Sequence, residues 1–281
     1  MSNMEAHSFT FVDLFSGIGG FHYGLAQCGG KCVMASEIEP NAIETYTKNF
    51  SLKPRGDIAQ IEIEDIPEFD LLCAGFPCQS FSNVGNRKGL ADPRGALIFQ
   101  VFRILKGCQP KAFLLENVKG LLSHDKGRTF QTIIDELTNC GYQVKYSILE
   151  AKDYGVPQMR KRVFIVGVRN DLNIPFSFPE PTGCDVSLGS ILGGETERDY
   201  AFTVRIGGRH SGIDNAFNWD CYMVNGSPKF ISPQECLQLQ GFPIDFYLAG
   251  NRDMQYKQVG NAVPTVVVRA IGKKLVELGI I

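Results

Sequence analysis

Cys78 follows a proline in the stretch GFPCQSFS, Gly75–Ser82, just beyond the apolar run Phe69–Ala74. A thiol attacks only as its thiolate, and a loop at a strand's carboxyl end can hold one out toward a ligand. A buried structural cysteine has the same local signature, because free cysteines are mostly small buried hydrophobes. Three other groups favour chemistry. Glu116-Asn117 ends the apolar run Ala112–Val118, where a partly desolvated carboxyl has a raised pKa and can act as acid or hydrogen-bond donor. A salt-bridged rim residue or a helix start is the plainer alternative. QMRKR, Gln158–Arg162, sets Arg160 and Arg162 on one face of a strand, two residues apart. Two guanidiniums on one rim suit an electron-rich or anionic partner, against the alternative of a solvated strand edge. QVGNAVP, Gln258–Pro264, brings a glycine-asparagine turn back just before the last helix.

A second chemical signature lies near the N-terminus. FVDLFSGIGGFHYGL, Phe11–Leu25, runs from a strand into a helix, and Gly17, Gly19 and Gly20 allow a tight turn that backbone N–H groups can bring close to a ligand. Glu37 lies 20 residues beyond Gly17, at the end of the next strand, where a carboxylate can hold ribose hydroxyls. The spacing is not a clean GxGxxG, so alone it is also compatible with a plain strand-to-helix turn. No GxxxxGK[ST] occurs, which argues against ATP or GTP chemistry. Asp57, in GDI after a third short strand, is a candidate for the base end of an adenosine, with a turn-forming Gly-Asp as the alternative.

These groups need elements to position them. Phe9–Phe15, Lys31–Ile38, Phe69–Phe76 and Ala112–Val118 have the composition of buried strands. Pro40–Phe50 opens on a proline, and Ala96–Leu105 and Thr129–Cys140 carry helical apolar spacing. Tyr142–Glu150 and Arg162–Arg169 are a candidate strand hairpin. The alternation predicts an α/β fold with a mostly parallel sheet, helices on both faces and ligands at the strands' carboxyl ends. Ile174–Asn225 is rich in Gly, Pro and Asn, with short strand candidates at Ala201–Ile206 and Cys221–Val224. Helical patterning returns at Ser232–Leu239, begun by Ser-Pro, and at Pro264–Leu278. The predicted division is a catalytic domain over 1–172, a small lobe over 173–231, and a return to the core over 232–281.

Composition bounds the alternatives. A chain of 281 residues with 44% hydrophobic and 21% charged residues can bury a full core. No apolar run is long enough for a membrane span, and MSNMEAHSF lacks a signal-peptide pattern, so the cytoplasm is the expected compartment. Nine cysteines without a CxxC pair argue against a disulfide framework and a metal site. A formal net charge of −2 does not advertise nucleic-acid binding, but basic residues cluster at Arg87/Lys88/Arg94, Arg160/Lys161/Arg162 and Arg205/Arg209.

Taken together, these residues closely resemble the bacterial cytosine-5 DNA methyltransferases of restriction–modification systems. DLFSGIGG, SEIEPNA, GDI, GFPCQSFS, DPRGALIF, ENVKGL, YGVPQMRKR, SPQECLQLQGFP and QVGNAVP match that family's motifs in order, from Phe11 to about Val268. The resemblance implies a Rossmann-like methyltransferase fold with one antiparallel edge hairpin and a loop-rich target-recognition domain. It implies S-adenosyl-L-methionine as cofactor, with S-adenosyl-L-homocysteine as product. By motif position, Phe15, Gly17, Gly19 and Gly20 approach the methionine part. Glu37 holds the ribose, Ile38 packs on the adenine, and Asp57 with Ile58 reaches the adenine edge. Gly75, Pro77, Leu97, Asn261 and Val263 complete the pocket.

The resemblance makes Cys78 the nucleophile that adds to carbon 6 of cytosine, so that carbon 5 can take the methyl group. Glu116, as a protonated acid, bonds ring N3, and Arg162 donates to the carbonyl oxygen. Arg160 belongs to the same catalytic group, expected to support backbone rather than touch the base. The target base must leave the duplex. Gln79–Arg94 becomes a mobile loop closing over it, with Gly85, Gly89 and Gly95 as hinges and Gln79, Ser82 and Arg94 against DNA. In the recognition lobe, Thr203-Val204 matches a Thr–aliphatic pair, and Arg205 and Arg209 in RIGGRHSG are expected on DNA, with Asn218, Trp219 and Tyr222 weaker candidates and packing favoured for the lone tryptophan. The compact lobe implies a short site of about four or five base pairs, by analogy.

The expected partners are double-stranded DNA and a separately encoded restriction endonuclease, for a monomeric enzyme that joins the nucleoid when bound. Three rival readings explain less. The tRNA-methylating branch carries a Cys-Phe-Thr signature absent here. A non-catalytic relative has no reason to keep Cys78, Glu116 and Arg162 together. A nicotinamide dehydrogenase leaves the Pro-Cys, Glu-Asn and Arg-x-Arg elements unexplained.

Overall fold

The computed structural model describes residues 9–76, 97–207, 210, 212–215 and 218–281. Pro77, Cys78, Gln79, Ser82, Arg94 and Arg209, with the whole Gln79–Arg94 segment, lie outside the described residues.

Six strands form one sheet in the order β2-β1-β3-β4-β6-β5. They are β1 Phe9–Leu14, β2 Gly30–Ser36, β3 Leu71–Gly75, β4 Ala112–Val118, β5 Tyr142–Glu150 and β6 Lys161–Arg169. The four strands from β2 to β4 run parallel. β6 lies antiparallel to both β4 and β5. The β5–β6 hairpin is present as expected, with the return strand β6 inserted beside β4 and β5 left at the edge. β3 and most of β4 are buried on both sides, which explains their unbroken apolar sequence.

Alternation along the strands feeds two cores. Phe9, Phe11, Cys73 and Leu114 face one layer with Phe21 and Leu25 of α1 (Gly20–Ala26), Tyr46 of α2 (Pro40–Phe50) and Val267 and Ile271 of α8 (Thr265–Glu277). Val12, Leu14, Leu72, Phe113 and Leu115 face the other, against α3 (Leu97–Cys108) and α4 (Arg128–Asn139). The chain builds β2 on one side of β1 and β3 on the other, so the sheet has a topological switch point between β1 and β3. Crevices at such points are where these sheets bind ligands.

A third core joins α5 (Leu188–Leu192), the hairpin of β7 (Cys221–Val224) and β8 (Ser227–Phe230), α6 (Pro233–Leu239) and α7 (Arg252–Asn261), with Trp219 fully buried in it. Ser232 caps α6 reciprocally with Glu235, and Pro233 takes the first turn, as the Ser-Pro start predicts. The loop-rich character of 174–220 is as expected, although Ala201–Ile206 is not a strand. Ala201 makes one isolated bridge, to Gln158. No third strand precedes Gly56-Asp57 either, since only Arg55 bridges to Ser36 there. The glycine-asparagine turn expected in QVGNAVP is displaced. Gln258–Asn261 completes α7, and the chain turns at Ala262–Pro264. No described helix is long and apolar enough to cross a membrane.

Candidate active site

A cavity of about 760 Å³ opens at the carboxyl ends of β1 to β4. Its walls include Phe15 and Gly17 after β1, Ser36–Glu39 after β2, Gly75 and Phe76 at β3, and Glu116–Val118 at β4. Thr203–Ile206 and the face of α7 carrying Met254, Lys257 and Gln258 close it from the other lobe.

The glycine turn shapes one end. Phe15 and Gly17 have positive φ values of 52° and 53°, reversing the chain within three residues. A Cβ on Gly17 would meet nothing within 4 Å, so this backbone stands open to the cavity. The other two glycines serve packing. A Cβ on Gly19 would lie 2.2 Å from the Phe50 ring, and one on Gly20 would lie 2.7 Å from the Val263 carbonyl oxygen. Gly19, Gly20 and Val263 are buried behind the wall and do not line the cavity. At Gly19 and Gly20 a side chain would meet the Phe50 ring and the Val263 backbone, so both positions are packed too closely for a Cβ.

Glu37 organises the next loop. One carboxylate oxygen accepts from Gly17 N–H at 2.8 Å, and the other accepts from the N–H groups of Ile38 and Glu39 at 2.8 and 2.9 Å. The same carboxylate thus ties the β1 turn to the β2 exit. Ile38 lines the cavity with 67% of its surface exposed, leaving an apolar face open to it. Asp57 accepts from Ala59 N–H at the start of a short 3₁₀ turn, which seats Ile58 in the second core. Asp57, Ile58, Leu97, Gly75 and Asn261 all line the cavity.

The other end carries the acid and the guanidiniums. In register, Gly75 of β3 lies opposite Glu116 of β4. Val118 of β4 pairs with Arg162 of β6, making Glu116 and Arg162 diagonal neighbours on one face. Arg162 Nε donates to Glu116 Oε1 at 2.9 Å. Burial pushes the Glu116 carboxyl above the usual carboxylate range, and the nearby Arg162 and Arg160 cations oppose that rise.

Arg160 stands just before β6 rather than within it, and is 1% exposed. Its guanidinium donates to the carbonyls of Val204, Gly260 and Ala262 at 3.0, 2.9 and 2.8 Å. Those carbonyls come from the loop-rich 174–220 segment and the end of α7, so Arg160 binds backbone from two chain regions. Gln158 extends the same tie, accepting from Val204 N–H at 3.2 Å and donating to Leu239 O at 2.7 Å. Thr203 and Arg205 line the cavity. The Thr203 hydroxyl donates to Met159 O, and Arg205 is exposed. Trp219 donates to Gly207 O and Tyr222 to Trp219 O, both as packed residues.

Asn41, Ile206, Met254 and Lys257 are among the wall residues that sequence reasoning did not assign to the site. Lys257 pairs with Glu39 at 3.1 Å, and Asn41 donates to the Met254 sulfur at 3.3 Å, so α7 meets the α2 start across the cavity edge. The i, i+3 spacing of Met254 and Lys257 puts them on one helix face, but α7 is mostly polar and offers no clear apolar stripe to mark that face.

A doubly wound sheet with a glycine turn, a carboxylate at the β2 exit and a buried acid–guanidinium pair on one cavity is an arrangement suited to a nucleotide-type cofactor. The family described as C-5 cytosine-specific DNA methylase matches residues 9–213 and 197–277. The chain is 39% identical to the Type II methyltransferase M.DsaV of Dactylococcopsis salina, covering 97% of this chain and 87% of that protein. It is 38% identical to M.HpaII of Haemophilus parainfluenzae (96% and 89% covered) and 35% identical to M.HhaI of Haemophilus parahaemolyticus (93% and 92% covered). A solved methyltransferase of Entamoeba histolytica shares the fold at a TM-score of 0.78 and 19% identity, over 95% of this chain and 98% of that one. The chain belongs to the C-5 cytosine-specific DNA methylases and uses S-adenosylmethionine to methylate carbon 5 of cytosine in DNA. The cavity fits that cofactor: it has an open glycine backbone at Gly17, a carboxylate at the β2 exit and an uncovered aliphatic face at Ile38.

Proposed function

We propose that Cys78 is the nucleophile, that Glu116 and Arg162 hold the target cytosine, and that Thr203 and Arg205 border the DNA. When bound, S-adenosylmethionine supplies an electrophilic methyl group. Phe15, Gly17, Glu37, Ile38, Asp57, Ile58, Leu97 and Asn261 would hold it, with Gly75 beneath. Carbon 5 of cytosine is too weak a nucleophile until a thiolate adds to carbon 6 and turns the ring into an enamine. Glu116 as the neutral acid donates to ring N3 while its other oxygen accepts from the exocyclic amine. Arg162 donates to the ring carbonyl. Both groups stabilise the negative charge that thiolate attack places on the ring. After methyl transfer, loss of the carbon 5 proton expels the Cys78 thiolate and restores aromaticity. Thymine reverses the donor pattern at this edge, so the pair also selects the base.

The observation that carries this reading is the Glu116–Arg162 pair on the same cavity as the glycine turn. We further propose that 173–231 reads a short duplex sequence, from which the target base is flipped. Arg160 acts as a strut for that lobe. Gln79, Ser82, Arg94 and Arg209 contact DNA, and Pro77 borders the cofactor. The Type II names of the relatives support a companion endonuclease of the same specificity, and we also propose a monomeric enzyme acting in the cytoplasm on the nucleoid. Duplex DNA incubated with methyl-labelled S-adenosylmethionine and mapped by bisulfite sequencing tests the reading. One short sequence, methylated at a fixed cytosine, is expected. Label appearing in tRNA instead of DNA would overturn it.

A further inference from the structure

Asn41, Thr45 and Asn49 recur at every fourth residue of α2 and so share one of its faces. Each of the three bonds to the segment that leads into α7 or to α7 itself. Asn49 donates to the Tyr247 carbonyl and accepts from the Tyr247 N–H, both at 3.0 Å. Asn41 donates to the Met254 sulfur at 3.3 Å. Thr45, between them, is fully buried.

The bonds of Thr45 form a closed set. Its hydroxyl accepts from Ala249 N–H at 2.9 Å and lies 2.6 Å from Gln258 Oε1. Gln258 Nε2 donates to the carbonyls of Ala249 and Met254 at 2.9 and 3.2 Å. Carbonyls only accept, so the amide's orientation follows from its partners, with its oxygen toward Thr45. A backbone N–H only donates, so the single hydroxyl proton goes to Gln258. Thr45 thus accepts and donates at once, which a valine of the same shape cannot do.

This set decides where α7 stands. Met254, Gln258 and Asn261 of α7 line the cavity at i, i+4 and i+7, on one helix face. α2 begins just after Glu37 and Ile38, whose loop lines the same cavity. Thr45 sits behind the wall and does not line the cavity itself.

We infer that Thr45 is a positioning residue for the cofactor: through Gln258 it seats α7 on α2, fixing the cavity wall that faces the Glu37–Ile38 loop. The inference rests on the reading that this loop holds S-adenosylmethionine. Without the hydroxyl, Gln258 Oε1 and Ala249 N–H lose a buried partner, and α7 is seated in only part of the population. A binding-competent fraction of about a tenth raises the apparent dissociation constant about tenfold. Bound cofactor selects the seated form, so the rate at saturating cofactor is spared.

The test compares the full-length enzyme with Thr45→Val, Thr45→Ser, Thr45→Ala and Glu37→Ala. Equilibrium dialysis with labelled S-adenosylmethionine gives the dissociation constants. Single-turnover methyl transfer to a target-bearing duplex at saturating cofactor gives the rates. Thr45→Val should bind cofactor about tenfold more weakly, with its rate within about threefold of the parent. Thr45→Ser, which keeps the hydroxyl, should bind within about threefold of the parent. Thr45→Ala takes the place of Thr45→Val should the valine variant not fold. The inference is overturned if the variant without the hydroxyl binds within about threefold of the parent, or if its rate falls as far as its affinity. Equal weakness in Thr45→Ser, or failure of both Thr45→Val and Thr45→Ala to fold, overturns it too. Unchanged cofactor affinity in Glu37→Ala would instead sink the underlying reading of the loop.

Discussion

Glu116 on β4 and Arg162 on β6 meet at 2.9 Å because an antiparallel strand is inserted beside a parallel one. Only an antiparallel β6 can begin at the rim where β3 and β4 end, and so deliver its first side chains to the cavity. The register makes the two residues diagonal neighbours, and burial then decides their chemistry. It raises the carboxyl's pKa, while the guanidinium opposes that rise and holds the acid in place.

Glu116→Gln and Arg162→Ala should each lower single-turnover methyl transfer by about 100- to 1,000-fold, the usual cost of removing an aimed donor in a water-poor site. Because burial raises the Glu116 pKa, its proton is lost only as pH climbs, so this acid should limit activity on the alkaline side. That limb should vanish from the residual activity of Glu116→Gln. Rate–pH profiles of both proteins check the sign.

Arg160→Ala should destabilise the fold by about 3 kcal/mol or more, since it strips donors from three carbonyls at once. Chemical denaturation measures the loss, and Arg160→Lys should recover only part of it, because an ammonium lacks the planar fork. Unchanged stability in Arg160→Ala would remove its role as a strut.

Gly17→Ala and Gly20→Ala should fail differently. The Gly17 Cβ would project into open cavity at φ +53°, so the cofactor dissociation constant should rise, with a stability loss of only about 1 kcal/mol. The Gly20 Cβ would press on the Val263 carbonyl, so about 1–3 kcal/mol of stability should go first. Calorimetric cofactor titration and thermal melts separate the two.

Much of this was legible in the sequence because local rules and global fold agree. Apolar runs in the parallel strands, the Pro40 and Ser232 helix starts, and the acid at the end of Ala112–Val118 each reflect a constraint that acts within a few residues. What escaped depends on distant chain segments. The close packing of Gly19 on Phe50 and of Gly20 on Val263 joins segments far apart in the chain. Arg160 is expected to support backbone rather than touch the base, but its partners, the carbonyls of Val204, Gly260 and Ala262, lie in distant segments that no local pattern names. Lys257 meets Glu39 across 218 residues of chain, a contact no local pattern encodes.

His22 predicts an acid-side loss of stability. Half-buried between Phe11 and Phe50, with Nδ1 bonded to the Tyr46 hydroxyl at 2.8 Å, its pKa is lowered by desolvation to about 4. The folded protein keeps the ring neutral, whereas the unfolded chain protonates it near pH 6.5. Its contribution is thus fully present above that pH and is lost as pH falls toward 4, by roughly 1.4 kcal/mol per unit at most. Asp13, buried nearby with a raised pKa, acts in the opposite direction. Urea unfolding of the parent and of His22→Phe between pH 7 and pH 4 isolates the histidine, and the variant should show the shallower acid loss.

The most direct measurement is covalent capture. The enzyme, incubated with S-adenosylmethionine and a duplex carrying 5-fluorocytosine at its mapped target, should form an adduct that survives denaturation, because fluorine at carbon 5 blocks the elimination that frees the thiol. Peptide mapping should find the nucleotide on Cys78. An adduct on another residue, or active methylation of ordinary cytosine without any adduct on the fluorinated duplex, would contradict the account.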